Sequence, residues 1–211
     1  IEDTLSELEK QCLTIGDGKT ADIKILNEKN NICLKVVDNA KVKKNNVFLK
    51  NKVNEEIEFL DKLDDPVFLN SIGIKRKIVP QPMFSKQESQ YGFLFEEKIK
   101  GMTLKDLIDN DSFNKLPANF NWDAYFNKLE DIVTKLNQAQ IFHRDLHEGN
   151  IFINEAGEPI LIDFGDAYES FLTDEDPYRE ELYDGSVVSY KPDVTNLKEI
   201  KQRILEITQT R

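Results

Sequence analysis

The run FHRDLHEGNIFINEAGEPILIDFG, residues 142–165, constrains this chain more than any other stretch. IFIN and PILI are short β-like runs around a Gly-containing turn, and they read as a two-stranded hairpin. His143, Arg144, Asp145, His147 and Asn150 precede that hairpin, and Asp163, Phe164 and Gly165 follow it. Two polar motifs therefore stand across one hairpin from each other.

The rest of the chain divides in character near residue 98. Before it, short β-like runs dominate: CLTIG, ADIKIL and ICLKVV, then KRKIVPQPMF and QYGFLFEE joined by the polar turn SKQES. One helix interrupts them, with Val53, Ile57, Leu60 and Leu63 at helical spacing until Asp64, Asp65 and Pro66 stop it. A second short helix is expected at residues 3–10. After Gly101 the chain turns helical, and Trp122, Tyr125, Phe126, Leu129, Ile132, Val133 and Leu136 form one apolar stripe. Leu197, Ile200, Ile204 and Ile207 mark a closing helix, and residues 166–193 between read as a polar, acidic connection. The expectation is an α+β chain of two lobes, 1–97 with a five-stranded antiparallel sheet plus one helix and 98–211 mainly helical, with a hinge where a ligand cleft commonly lies.

Charge narrows the partners. Lys plus Arg at 28 against Asp plus Glu at 39 gives a net charge of −11, which repels phosphate backbones and anionic lipid, so nucleic acid is not expected as the main partner. No apolar run is long enough to span a membrane, and the charged start IEDTLSELEK lacks a signal peptide's apolar core. Because the chain begins at Ile1, something upstream is expected to have been removed or left out. Cys12 and Cys33 have apolar neighbours and no zinc-type spacing, so both read as small buried hydrophobes.

His143, Arg144, Asp145 and Asn150 followed by Asp163, Phe164 and Gly165 resemble, in order and spacing, the catalytic loop and metal-binding triplet of the eukaryotic-type protein kinase family. The resemblance implies ATP and Mg²⁺ as cofactors, Asn150 and Asp163 as metal ligands, and Asp145 as the group that orients the acceptor hydroxyl and takes its proton. It places Lys35 on the third strand as the lysine that meets the α- and β-phosphates, and Glu56 on the following helix as its partner, with Glu55 the alternative. Gly16 and Gly18 match two glycines of the phosphate-covering loop; Ala21 replaces the third and Ile23 stands for the valine. GDGKT is not the end of a P-loop, since Leu13 stands where that motif needs its first glycine. FLFEEKIKGMTL resembles the hinge, which gives the Glu97 carbonyl and the Ile99 N–H the adenine edge and either Phe95 or Glu96 the back of the pocket.

His147 departs from the pattern, since serine/threonine kinases usually show Lys there and small-molecule phosphotransferases of the superfamily often resemble this sequence. The residues after Asp163 are too few for the acceptor region of those enzymes, and GSVVSYKPD resembles an activation-segment ending with Pro192 and Asp193 in place of Pro and Glu. A protein acceptor is therefore preferred, with a small-molecule phosphotransferase and a non-catalytic kinase-fold module as alternatives. In size the chain resembles the small effector kinases some bacterial pathogens secrete into host cells, which implies a cytoplasmic place or delivery to a host. A reduced C-terminal lobe implies a stabilising or activating protein partner. The acidic stretch 166–184 reads first as a solvated loop; the functional alternative is that it recruits a basic protein substrate or pairs with Arg144 without phosphorylation, with Thr173 or Tyr178 as alternative modification sites. Lys41, Lys43, Lys44, Lys50 and Lys52 form a contrasting basic cluster, expected mainly to keep a loop in water.

Overall fold

β-branched and aromatic runs set the first sheet. In the computed structural model, which describes residues 13–17, 21–27, 31–38, 52–87, 91–170, 176–181 and 187–210, they become β1 (Leu13–Asp17), β2 (Ala21–Asn27), β3 (Ile32–Asp38), β4 (Pro82–Gln87) and β5 (Tyr91–Glu97). The five are antiparallel in the order β1-β2-β3-β5-β4. Helix α1 (Lys52–Asp64) lies between β3 and β4 in sequence. Leu34, Val37, Phe93 and Leu94 from the strands and Val53 and Leu60 from the helix are buried. The N-terminal helix, Cys12, Gly18, Thr173 and most of the lysine cluster lie outside the described residues.

Three local readings are corrected. Asp64-Asp65-Pro66 ends α1 but also starts α2 (Pro66–Ser71), because the Asp65 side chain accepts from the Val67 N–H at 2.9 Å and Pro66 sits in the first turn, where it has no N–H to lose. The strand expected from residue 75 starts only at Pro82. Ile74, Ile78 and Val79 are buried, and the Ile78 carbonyl accepts from the Leu161 N–H at 2.8 Å, so this stretch serves a different sheet. Ser85–Gln87, expected in a turn, are strand, and the rest of that turn lies outside the described residues.

The chain divides into two compact units, one running to Asp61 and resuming at Pro80–Ile99, the other Lys62–Val79 with Lys100–Arg211. The division is thus discontinuous, where a single break near residue 98 is what the sequence suggests. In the second unit β6 (Gly101–Thr103), β8 (Ile151–Asn154) and β9 (Pro159–Leu161) form a three-stranded antiparallel sheet, so the expected hairpin gains a third strand. Gly101 permits this: at φ +145° its Cβ would stand 2.1 Å from the Ile153 carbonyl oxygen. Thr103 then caps α3 (Leu104–Asp109), bonding the Asp106 N–H and carboxylate in a capping box.

The apolar stripe becomes α4 (Trp122–Gln138), capped by Asn121 and buried from Tyr125 to Leu136. The Tyr125 hydroxyl donates to the Phe152 carbonyl at 3.0 Å, tying that helix to the hairpin. α5 (Asp193–Gln209) packs on α4 with Leu197, Ile200 and Ile204 buried. β7 (Ile141–Phe142) pairs with β10 (Tyr168–Glu169), and β11 (Arg179–Glu181) with β12 (Val187–Ser189), so the connection after Asp163 is partly ordered into strands. No described helix is long and apolar enough to cross a membrane.

Candidate active site

Hairpin register brings the two polar motifs together. Ile151 pairs with Leu161, and one step outward the Ile162 N–H donates to the Asn150 carbonyl at 3.1 Å. Asp163 is the next residue. The turn that sets this register is held by the Asn154 side chain, which accepts from the Ala156 and Glu158 N–H groups, and by Gly157 at φ +76°.

Asn150 is buried, and its Nδ2 donates to the Asp145 carbonyl at 2.9 Å and to Asp145 Oδ2 at 3.2 Å. Asp145 keeps about half its side chain exposed (47%). His147 Nδ1 accepts from the Gly149 N–H at 3.0 Å, which places the ring proton on Nε2, 3.7 Å from Asp145 Oδ2. A Cβ on Gly149 would approach His147 Cε1 to 2.7 Å, so a side chain there would displace the His147 ring.

Two non-glycine residues at the site hold left-handed backbone, Arg144 at φ +66° and Asp163 at φ +62°. Strain of this kind, of order 1–3 kcal/mol each, persists only where the surroundings over-determine it. For Arg144 the cause is Asp193, whose buried carboxylate accepts the His143 N–H at 2.8 Å and the Arg144 N–H at 3.0 Å. Its own N–H donates to the Tyr178 hydroxyl at 3.2 Å. Burial raises the Asp193 carboxyl above its ordinary value, against the pull of its donors. Asp193, in the stretch that resembles the end of an activation segment, begins α5 and holds the loop. The sequence marks Asp193 only as the end of a segment; its bonds to the His143 and Arg144 N–H groups span a stretch of chain that no local pattern reports.

His143 and Arg144 are both buried, at 4% and 7% exposure. His143 Nε2 donates to the Ile162 carbonyl at 2.9 Å and its ring lies 4.6 Å from that of Phe164, while Nδ1 has no partner. Arg144 Nε donates to the Pro177 carbonyl at 2.6 Å, with its guanidinium 4.0 Å from the Tyr168 ring and 4.9 Å from the Tyr190 ring. The half-buried Tyr178 hydroxyl is engaged with Asp193 and Asn137, so the modification expected there would break those bonds. Tyr168 and Tyr190 were not singled out by sequence, because ring-on-guanidinium contacts have no spacing rule.

In the first unit, Lys35 Nζ donates to both carboxylate oxygens of Glu56, at 2.8 and 3.0 Å, and the side chains are 10% and 2% exposed. Glu55 is exposed, which settles the partner as Glu56. Ile23 pairs with both Gly16 and Lys35, and the β1–β2 register slips between Thr14 and Gly16. Glu97 ends β5, its N–H donating to the Gln81 carbonyl, and Ile99 follows in the link to residue 100. Phe95 packs on Phe84, whereas Glu96 lies near Cys33, whose thiol burial and that carboxylate push up to about 11. Cys33 is buried, as read from sequence.

Among the described residues no group of three or more His, Cys, Asp or Glu side chains could hold a metal alone. The Asp163 carboxylate and the Asn150 amide oxygen are hard oxygen donors of the kind Mg²⁺ uses together with water and phosphate oxygens, so the donor set fits that ion.

A family model described as protein kinase domain matches residues 10–183. A probable serine/threonine-protein kinase of Dictyostelium discoideum is 28% identical over 117 residues, 56% of this chain and 16% of that protein. The probable serine/threonine-protein kinase samkC of the same organism is 28% identical over 132 residues, 59% of this chain and 13% of samkC. The match thus spans less than a fifth of either relative.

Proposed function

Because this chain belongs to the protein kinase domain family, we propose that it transfers the γ-phosphoryl group of ATP to a serine or threonine hydroxyl of a protein. The observation that carries the proposal is the hairpin that sets Asn150 against Asp145 and runs straight into Asp163; the first unit separately holds the buried Lys35–Glu56 pair.

Each group then has one task. Asp145, half exposed, accepts the proton of the acceptor hydroxyl and aligns its oxygen, a contribution of about 10² to 10⁴ in rate. Asn150 fixes the Asp145 rotamer through Nδ2, which leaves its amide oxygen, with the Asp163 carboxylate, to hold Mg²⁺. That ion, when bound, neutralises charge on the phosphates. The Lys35 ammonium, oriented by Glu56, meets the α- and β-phosphates. Gly16, Gly18 and Ile23 cover the nucleotide, and Glu97 and Ile99 present backbone groups to the adenine. His143 and Arg144 position the loop. His147 Nε2–H sits near Asp145 and points to an acceptor-side role. The net charge of −11 favours a basic acceptor.

The test compares wild type with Asp145→Asn. The variant is expected to fold, to bind Mg-ATP with the same thermal shift as wild type, and to lose transfer to a basic Ser/Thr protein by at least about 10². Full activity in Asp145→Asn sinks the mechanism. Label passing only to aminoglycosides, sugars or amino alcohols would favour the small-molecule reading, to which His147 gives its one support. A wild type that binds no nucleotide would favour a binding module.

A further inference from the structure

We propose that Tyr168 and Tyr190 clamp the Arg144 guanidinium and so hold the chain after Asp163 on the catalytic loop with no phosphate on that segment; this deepens, and rests on, the kinase reading above. Arg144 is almost wholly removed from water (7% exposed), and a cation so placed needs neighbours that replace its hydration. Among the described residues, neighbours come from three separate stretches. Tyr168 belongs to β10, Pro177 to the turn before β11, and Tyr190 follows β12. A planar guanidinium offers its faces to aromatic rings and its edge to a carbonyl, and that is the division seen here: rings at 4.0 and 4.9 Å, and Nε on the Pro177 oxygen at 2.6 Å.

Independent contacts fasten the same stretches nearby. Tyr168 pairs in register with Phe142, two positions before Arg144. The Tyr178 ring packs edge-on against Phe142 at 5.3 Å, and the Tyr190 N–H donates to the Tyr178 carbonyl at 2.7 Å. An added phosphate can order such a segment by pairing with an arginine. Here, among the described residues, two ring faces and a carbonyl contribute to that work, all from one unit.

The experiment uses phosphatase-treated protein, shown by intact mass to carry no phosphate, as wild type and as Tyr168→Leu, Tyr190→Leu, Tyr168→Phe and Tyr190→Phe. Activity is read as kcat/KM toward a basic Ser/Thr protein and, separately, toward ATP; amide exchange is followed at 166–170 and 187–190. Phosphate-free wild type is expected to match untreated protein. Each Leu variant is expected to lose about tenfold in kcat/KM for the acceptor, with faster exchange in those segments and a smaller change for ATP. Each Phe variant, which keeps the ring face, is expected to stay near wild type. Loss of activity on phosphatase treatment, wild-type exchange in the Leu variants, or Phe variants as impaired as Leu would each overturn the clamp. If wild type transfers phosphate to nothing, the kinase reading fails, and the exchange comparison by itself still decides the clamp.

Discussion

At the scale of the residue, Lys35 and Glu56 show why a charged pair sits where an apolar one would serve stability as well. Burying both charges costs more than their attraction returns unless the geometry is close, and removing one partner strands the other. Lys35→Met is therefore expected to destabilise by roughly 3–5 kcal/mol in urea unfolding, because the buried Glu56 carboxylate loses the ammonium that bonds both its oxygens. Lys35→Met combined with Glu56→Leu is expected to recover most of that stability while remaining inactive. A double variant that regains activity would remove the pair from the phosphate site. Lys35, Asp145, Asn150 and Asp163 were legible because each is tied to a motif of fixed order. Asp193, Tyr168 and Tyr190 were not, because their roles arise from contacts across long stretches of chain, such as His143 to Asp193.

Elements were read best where one period governs a long segment. The stripe of α4 is buried from Tyr125 to Leu136, as its spacing implies. Errors came where one residue carries two meanings: Pro66 both ends α1 and opens α2, and the stretch near Ile78 looks like strand but bonds to Leu161. β6 is only Gly101–Thr103, too short for any alternation to show, yet it completes the sheet under the catalytic loop. Gly101→Ala is expected to break the β6–β8 pairing, since its Cβ would lie 2.1 Å from a backbone oxygen that cannot give way. Gly73→Ala, whose nearest neighbour is the flexible Lys135 side chain at 3.5 Å, is expected to cost only its backbone strain, about 1 kcal/mol. Equal melting temperatures for the two variants would contradict this ordering.

At the scale of the whole molecule, the proton balance of folding carries a signature of the Tyr178–Asp193 junction. Burial, with the Asp193 carboxylate beside it, pushes the Tyr178 phenol from 10.0 up to about 12. The folded chain then holds that proton longer than the unfolded one, so this contribution to stability is complete below pH 10.0 and is lost as pH rises through about 12. The stability difference between wild type and Tyr178→Phe is expected to be constant below pH 10.0 and to shrink above it. A difference that stays flat or grows through that window, measured by urea unfolding, would place the phenol in water.

Motif order, strand alternation, helical stripes and net charge could be read from the chain alone, because each depends on neighbours a few positions apart or on a simple sum. Membership of the kinase family was visible in the same way, through HRDLHEGN and DFG. Tertiary structure alone decided that residues 62–79 group with the second unit, that Glu56 and not Glu55 meets Lys35, and that Asp193 and two tyrosines hold the loop. Those outcomes depend on which distant groups share a desolvated space, and burial and hydrogen-bond completion across the fold select them where no local pattern can.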